Sequence, residues 1–257
     1  MPIFRQGAGG QTHDGEQTHD LEHRERTPVH RHAQGHLIYP ARGVLSASVS
    51  GQTWIIPANR TAWIPAHVDH YHRAHGRTDM RVVFVTASLA AQLPDRAAVL
   101  STTALAREAL LALTGPDAVP RSREARDRLR HVVVDELGPA PEEPLHLPEP
   151  QDPRLRELAR IMEEDPATTA TLAELGRLIG VGERTLSRLF REEMSTGFTR
   201  WRTQLRVHRA LVMLTGGAGV LETAHACGWS NPSTFINSFT ALVGQTPGRY
   251  RRNLPQA

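Results

Sequence analysis

Between Thr171 and Met194 the chain reads TLAELGRLIGVGERTLSRLFREEM, and between Val220 and Gly244 it reads VLETAHACGWSNPSTFINSFTALVG. In each stretch an apolar-periodic segment ends at a glycine, a short turn follows, and a second segment opens on a cap and carries polar residues along one side. This is a helix-turn-helix written twice, and a tandem of that kind suits one task above others, gripping two successive major grooves of DNA.

The first unit opens with a capping box, Thr171 with Glu174, so its first helix starts at Thr171 and is expected to bury Leu172, Leu175, Leu178 and Ile179. Gly180 ends that helix and Gly182 caps the next, whose Leu186, Leu189 and Phe190 face inward. Arg184, Ser187, Arg188 and Arg191 then fall at i, i+3, i+4 and i+7, one outward stripe able to reach guanine edges or phosphates. In the second unit Leu221, Ala224 and Cys227 share a face and Gly228 stops the helix. Asn231 caps the following one with Pro232 in its first turn. Phe235, Phe239 and Leu242 are expected in the core, which leaves Ser233, Thr234 and Asn237 as neutral donors and acceptors on the outer side. Phe198 to Thr215 joins the units as a helix with Trp201, Leu205, Ala210, Leu211 and Leu214 on its apolar side. At 1.5 Å per residue it is roughly 27 Å long, a spacer of the order needed for grooves about 34 Å apart.

These motifs, their order and the closing TPGRYRR resemble the AraC/XylS transcription regulators over residues 153–257. The resemblance places base-facing positions of the first recognition helix at Arg184, Ser187 and Arg188, and those of the second at Ser233 and Asn237. Some members of the family carry arginine where Asn237 stands here. Charge agrees with this division. Residues 153–257 hold fourteen arginines against nine acids, whereas residues 1–152 hold sixteen against eighteen.

The preceding half is written differently. Residues 1–27 are polar, acidic and histidine-bearing, so a disordered tail is expected. From His36 to Val85 short β-type runs, HLIYP, VLSASVS, TWIIP, TAWIP and MRVVFV, alternate with turns, which predicts a small antiparallel barrel or sandwich. Helical patterns follow at about Thr102–Leu113, with Ser101 as cap, and at Arg123–Leu137. The proline-rich stretch 138–152 reads as a connector. The fold class is therefore α+β: a sensor domain over 28–137, a linker over 138–152 and a helical DNA-binding domain over 153–257.

Ten of the fourteen histidines precede residue 77. His30 and His32 are spaced to point the same way on extended backbone, and His36 follows. This spacing, with Gly43, resembles the first motif of the cupin barrel; Pro65 to His70 resembles the second. Histidine replaces the family's acid at position 36, and His67 takes the usual glycine place. The resemblance implies that His30, His32, His36 and His70 hold one divalent metal, for which imidazoles suit Zn²⁺, Ni²⁺, Co²⁺ or Fe²⁺. Without metal, the same residues would line an organic-ligand pocket. His67, His72 and His75 are expected at the rim, with His72 as the substitute ligand, and binding is expected to weaken below about pH 6.5.

Cys227 is the single cysteine, so no intrachain disulfide is possible. No apolar run suggests a signal peptide or membrane span, and the expected compartment is the cytoplasm. The sequence thus reads as a non-enzymatic, DNA-binding regulator that answers a metal or small molecule. The alternative is a metal-dependent cupin isomerase or dioxygenase with DNA binding appended. Expected partners are double-stranded DNA, RNA polymerase, an effector and a second copy of the chain. Leu129, Val132, Val133 and Leu137 line the apolar flank of the helix at Arg123–Leu137. That flank either packs on its own barrel or forms a dimer seam.

Overall fold

The computed structural model describes residues 11–13, 16–23, 25–115, 121–142, 146–148, 150–252 and 254. It divides the chain into two compact units, the first built mainly from residues up to 143 and the second from Pro144–Asn253 together with Gly51–Trp54.

The first unit opens with β1 (Gln11–His13), β2 (Glu16–Leu21), β3 (His36–Arg42), β4 (Val44–Val49) and β5 (Gln52–Pro57). It continues through β6 (Arg60–Ile64), β7 (His70–Ala74), β8 (Thr78–Phe84), α1 (Ala87–Ala90), β9 (Ala98–Ser101), α2 (Ala104–Thr114) and α3 (Arg123–Leu137). A short β10 (His146–Pro148) belongs to the second unit, with Gly51–Trp54 at the start of β5. One antiparallel sheet runs β1-β2-β8-β3-β6-β9 and the other β10-β5-β4-β7. β3 is central in the larger sheet, and its residues are buried on both faces up to Ala41. Pro40 cannot donate to a ladder, and the pairing with β8 shifts register between Pro40 and Arg42. Gly43 then turns the chain with φ +82; a Cβ there would stand 2.6 Å from the Arg77 carbonyl oxygen, so the glycine demanded by the cupin pattern is a steric requirement here. Ser50 and Gly51 both have positive φ, the backbone that joins β4 to β5 in a tight hairpin.

α2 and α3 cover the larger sheet. Val133, Val134 and Leu137 of α3 are buried with Leu37, Trp63, Val83 and Leu110, and Leu129 and Val132 pack against the same core. The apolar flank of α3 therefore packs on its own domain, the first of the two readings of its pattern. α2 begins two residues later than its pattern suggested, because the Thr103 hydroxyl, not Ser101, accepts from the Ala106 N–H at 3.1 Å.

Two expectations are corrected. Within the 1–27 segment, residues 16–21 are not a disordered tail: β2 pairs with β8 along its whole length, from Glu16 opposite Val83 to Leu21 opposite Thr78. Its acid is deeply buried, at 2% exposure, and both Arg126 and Arg130 of α3 pair with its carboxylate. Polar composition misled because the partners of Glu16 lie more than a hundred residues away. Residues 1–10, 14, 15 and 24 lie outside the described residues. Within the connector, residues 146–148 pair with Gln52 to Trp54, while 143–145 and 149 lie outside the described residues.

The second unit is helical: α4 (Pro153–Glu164), α5 (Leu172–Leu178), α6 (Glu183–Glu193), α7 (Phe198–Thr215), α8 (Val220–Ala226), α9 (Pro232–Val243) and α10 (Pro247–Arg252). Leu155, Leu158 and Met162 of α4 join Leu175, Leu186, Phe190, Trp201 and Leu205 in one core. Phe235, Phe239, Val243 and Tyr250 are buried around α9. Val243 takes the core place expected for Leu242, which is only half-buried. Leu178 and Leu221, expected inside, are 72% and 60% exposed. No helix among the described residues is long and apolar enough to cross a membrane.

Removing Glu16's carboxylate breaks a buried ion pair with two largely buried guanidiniums, of which Arg130 keeps Asp127 at 2.7 Å; breaking a buried pair typically costs about 3–5 kcal/mol. Glu16→Ala is expected to lower the denaturation midpoint of the first unit accordingly, and deletion of residues 1–27 to lower it further. A deletion variant as stable as the parent by urea titration would restore the disordered-tail reading.

Candidate functional site

Two constellations carry chemistry, one in each unit. In the second, both helix-turn-helix pairs are capped as their sequences dictate. The Thr171 hydroxyl accepts from the Glu174 N–H at 3.2 Å, and the Glu174 carboxylate accepts from the Thr171 N–H at 2.7 Å. The Asn231 side chain accepts from the Ser233 N–H at 2.8 Å, with Pro232 in the first turn of α9. α6 buries Leu186, Leu189 and Phe190 and turns Arg184, Arg188 and Arg191 outward, while Ser187 is half-buried. The Arg188 guanidinium bonds the Glu192 carboxylate at 2.7 Å, and Arg191 donates to the Ser187 carbonyl at 3.2 Å. On α9, Ser233, Thr234 and Asn237 are exposed opposite Phe235 and Phe239. α7 spans the eighteen residues expected, and it also buries Val207 and His208, which the apolar stripe did not include.

In the first unit the histidines converge. Residues 26–32 run beside β7, with bridges at Arg26–Arg73 and His30–His70; the His30 and His70 backbones exchange two hydrogen bonds of 2.9 Å. This brings His30 and His32 over β7, whose alternation points His70 and His72 inward, and His36 enters from the start of β3. Ring centroids lie 4.3 Å apart for His30–His70, 4.7 Å for His32–His36, 4.8 Å for His36–His70 and 5.1 Å for His70–His72. Two sets of three have mutually close ring nitrogens: His30, His32 and His70, and His36, His70 and His72. The four residues implied by the cupin pattern thus share one basin, but they divide between two sets that meet at His70. His72, expected at the rim, is 2% exposed and belongs to the inner set. The i, i+2 spacing with His70 was the signal for it. His75 instead bonds the Ser46 hydroxyl at 3.0 Å. His67 has φ 63, which explains why the cupin pattern places glycine at that position.

The electrostatics of the basin favour neutral rings. Burial lowers the pKa of both His32 and His70 to about 4, with neighbouring histidine charge adding to the effect, and it holds His36 and His72 well below their ordinary value. Nδ1 of His70 lies 2.8 Å from the Val68 carbonyl oxygen, and that of His30 lies 2.8 Å from the Pro28 carbonyl oxygen. A carbonyl only accepts, so each Nδ1 carries a proton, and the neutral His70 ring keeps its lone pair on Nε2. Nε2 of His70, Nδ1 of His72 and both ring nitrogens of His36 are buried without hydrogen-bond partners. Unpartnered buried imidazole nitrogens, tautomers set by backbone carbonyls and neutral rings together make a donor set that fits a borderline divalent cation.

A cupin-type β domain bearing such a basin, followed by two capped helix-turn-helix pairs, defines a DNA-binding regulator with an effector domain. Comparison with known proteins agrees. Residues 17–86 match the Cupin domain family and residues 175–253 the Helix-turn-helix domain family. The HTH-type transcriptional regulator NimR of Escherichia coli (strain K12) is 32% identical over 224 residues, 87% of this chain and 82% of that protein. The HTH-type transcriptional regulator GlxA of Rhizobium meliloti (strain 1021) is 42% identical over 79 residues, 30% of this chain and 24% of that protein. Among solved structures, ToxT from Vibrio cholerae O395 aligns with 95% of this chain and 100% of its own at 10% identity and a TM-score of 0.42. The chain belongs to the AraC family of helix-turn-helix transcription regulators, with an N-terminal cupin domain. That family consists of regulators and not enzymes, which sets aside the isomerase or dioxygenase alternative.

The depressed histidines fix the sign of a pH effect. Each is neutral in the folded chain and binds a proton near pH 6.5 once unfolded, so between pH 6.5 and about 4 the unfolded state holds more protons and stability falls as pH falls. Metal-free protein is expected to lose stability across that window, with a shallower slope in His36→Phe. A flat urea midpoint from pH 6.5 to 4 would contradict the burial of these rings. Metal uptake should likewise persist below the pH 6.5 expected of ordinary histidines.

Proposed function

We propose that this chain binds specific double-stranded DNA through α6 and α9 and alters transcription in response to a metal ion or small molecule held in the histidine basin. The observation that carries the first half is the pairing of two recognition helices, α6 opening at Gly182 and α9 capped by Asn231, with exposed polar stripes over buried cores. Arg184 and Arg188 supply base contacts from α6, with Ser187 beside them and Arg191 placed for phosphate. Ser233, Thr234 and Asn237 supply weaker neutral contacts from α9. Such a regulator works in the cytoplasm, alongside RNA polymerase and as a homodimer.

The second half rests on the unpartnered nitrogens of His36, His70 and His72. A single Zn²⁺, Ni²⁺, Co²⁺ or Fe²⁺ would be held by His70 together with members of either set, the inner His36 and His72 or the outer His30 and His32. Bound there, it would supply a positive charge that cross-links the start of β3, β7 and residues 30–32. An organic effector would use the same rings as hydrogen-bonding groups.

Arg184→Ala and Arg188→Ala are each expected to weaken specific binding by roughly 1–3 kcal/mol, with Ser233→Ala and Asn237→Ala costing less. Fluorescence anisotropy on a selected site decides; arginine variants that bind like the parent while the α9 variants fail would reverse the assignment. For the basin, elemental analysis of tag-free protein should find one equivalent of metal that His70→Ala abolishes, since both sets share that residue. Absence of stoichiometric metal after incubation with each of the four cations leaves the organic effector.

A further inference from the structure

We infer that Arg206 is a positioning residue that fixes the spacing and rotational phase of the two recognition helices. It stands in the middle of α7, the helix that joins the two helix-turn-helix pairs of the helical unit. Its Nε donates to the Pro166 carbonyl at 3.0 Å and its Nη2 to the Thr168 carbonyl at 2.8 Å, both in the turn that leads into α5. The same guanidinium lies 5.8 Å from the ring centroid of Trp229, in the turn between α8 and α9. Trp229 in turn stacks at 4.9 Å on Phe235, the first buried residue of α9. One planar cation therefore holds the turn that leads into α5 and stands beside the turn that aims α9.

Gly228 shows how closely the two turns are pressed together. With φ +81 it ends α8, and a Cβ built on it would stand 2.6 Å from the Arg206 Nη2 and 2.8 Å from the Cα of Ala167. The glycine of the second helix-turn-helix thus serves as a point of contact with the first helix-turn-helix as well as a helix stop. Arg202, one turn earlier on α7, donates to the Ala170 carbonyl at 3.1 Å and anchors the same incoming turn. Two arginines hold the turn before α5 to α7, and Arg206 carries the connection on to the turn before α9.

The residue type matters. A guanidinium presents a rigid, planar fork of donors, so Nε and Nη2 reach two different carbonyls while the same group faces an indole 5.8 Å away. A lysine ammonium is a compact point charge on a flexible stem and does not fix that geometry. Burial pushes the Arg206 pKa down from its ordinary value, but a guanidinium remains charged in any case. Its charge is committed to carbonyl oxygens inside the domain and is not presented to phosphate.

The consequence concerns DNA, and it rests on the reading that α6 and α9 both face the duplex. Moving one contacted segment by a single base pair shifts it by roughly 3.4 Å and turns it by roughly 35°. A rigid pair of helices rejects that shift; a hinged pair follows it. Arg206 therefore sets which half-site spacing the protein accepts.

The test uses the full chain and a DNA site enriched by it from random duplex, together with the same site carrying one inserted base pair between its two contacted segments. The parent is expected to prefer the original site by roughly tenfold or more, and Arg206→Gln and Arg206→Lys to prefer it by about twofold or less. Without DNA, spin labels on Glu192→Cys and Ala241→Cys should report a narrow distance distribution in the parent and a broad one in either Arg206 variant. The buried Cys227, whose thiol burial pushes up to about 11, stays unlabelled. A folded variant, by circular dichroism, with the parent's narrow distribution overturns the proposal; if Arg206→Gln does not fold, Arg206→Lys decides by the same measure. Because the label distance needs no DNA, a parent that shows no spacing preference counts against the two-helix reading and leaves the lock to be judged by its distances.

Discussion

The helical unit depends on a constraint of length. α5 and α8 are seven residues each, and helices that short do not persist in water on their own, because nucleation outweighs the few hydrogen bonds they gain. They exist because α7 offers them a surface. Trp201 and Leu205 near its start close the core of the first pair, and Leu211 and Leu214 near its end are buried in the second half of the unit. Capping then sets where each short helix begins, and the glycine turns set where it ends. The recognition helices inherit their directions from this one rod, which is why polar groups that tie the turns to α7 matter more than their number suggests.

The cupin unit is governed by the opposite problem, too many polar rings out of water. Burying a polar group without a partner costs free energy that packing must offset, and this basin leaves several imidazole nitrogens in that condition. Protonation offers no relief, since each added charge would face low dielectric and four neighbouring rings. The stable chemical answers are a cation that accepts several lone pairs at once or a ligand that brings its own donors. A fold kept only for packing would place leucine or valine at these positions, as it does on the neighbouring β3, where Leu37 and Ile38 fill the sites beside His36.

Much of this was legible in the chain, and the failures have specific causes. The helical unit reads well because caps, glycine stops and periodic apolar residues are local signals. Yet Leu178 and Leu221 mislead, because spacing by threes lags the 3.6-residue turn. By the third member of Leu172, Leu175 and Leu178 the side chain has drifted some 120° around the axis and faces solvent. β7 is written HYHRA and β2 EQTHDL, strands with no valine or isoleucine and Thr18 as their one β-branched residue, since inward places hold imidazoles or the paired carboxylate of Glu16. The composition that hides the strand is the composition that makes the basin. The residues that the cupin spacing singles out, His30, His32, His36 and His70, lie in one basin, but division of the basin into two sets depends on the path of residues 26–32 along β7, which no local pattern encodes.

In the DNA-binding role proposed above, α6 and α9 would divide their labour by charge. On α6 the Arg188 guanidinium is held against Glu192 one turn away, an exposed pair worth well under about 1 kcal/mol. Phosphate or a guanine edge can displace so weak a partner at little cost, while the carboxylate keeps the arginine from binding any polyanion at full strength. α9 has no charged residue along its length and so adds little to indiscriminate attraction. Neutral hydroxyl and amide contacts are short-ranged and reward only correct placement. A weakly attracting second helix is useful only if the first helix and the rod between them deliver it to one register on the duplex, which ties the value of Ser233 and Asn237 to the rigidity of α7 and its turns.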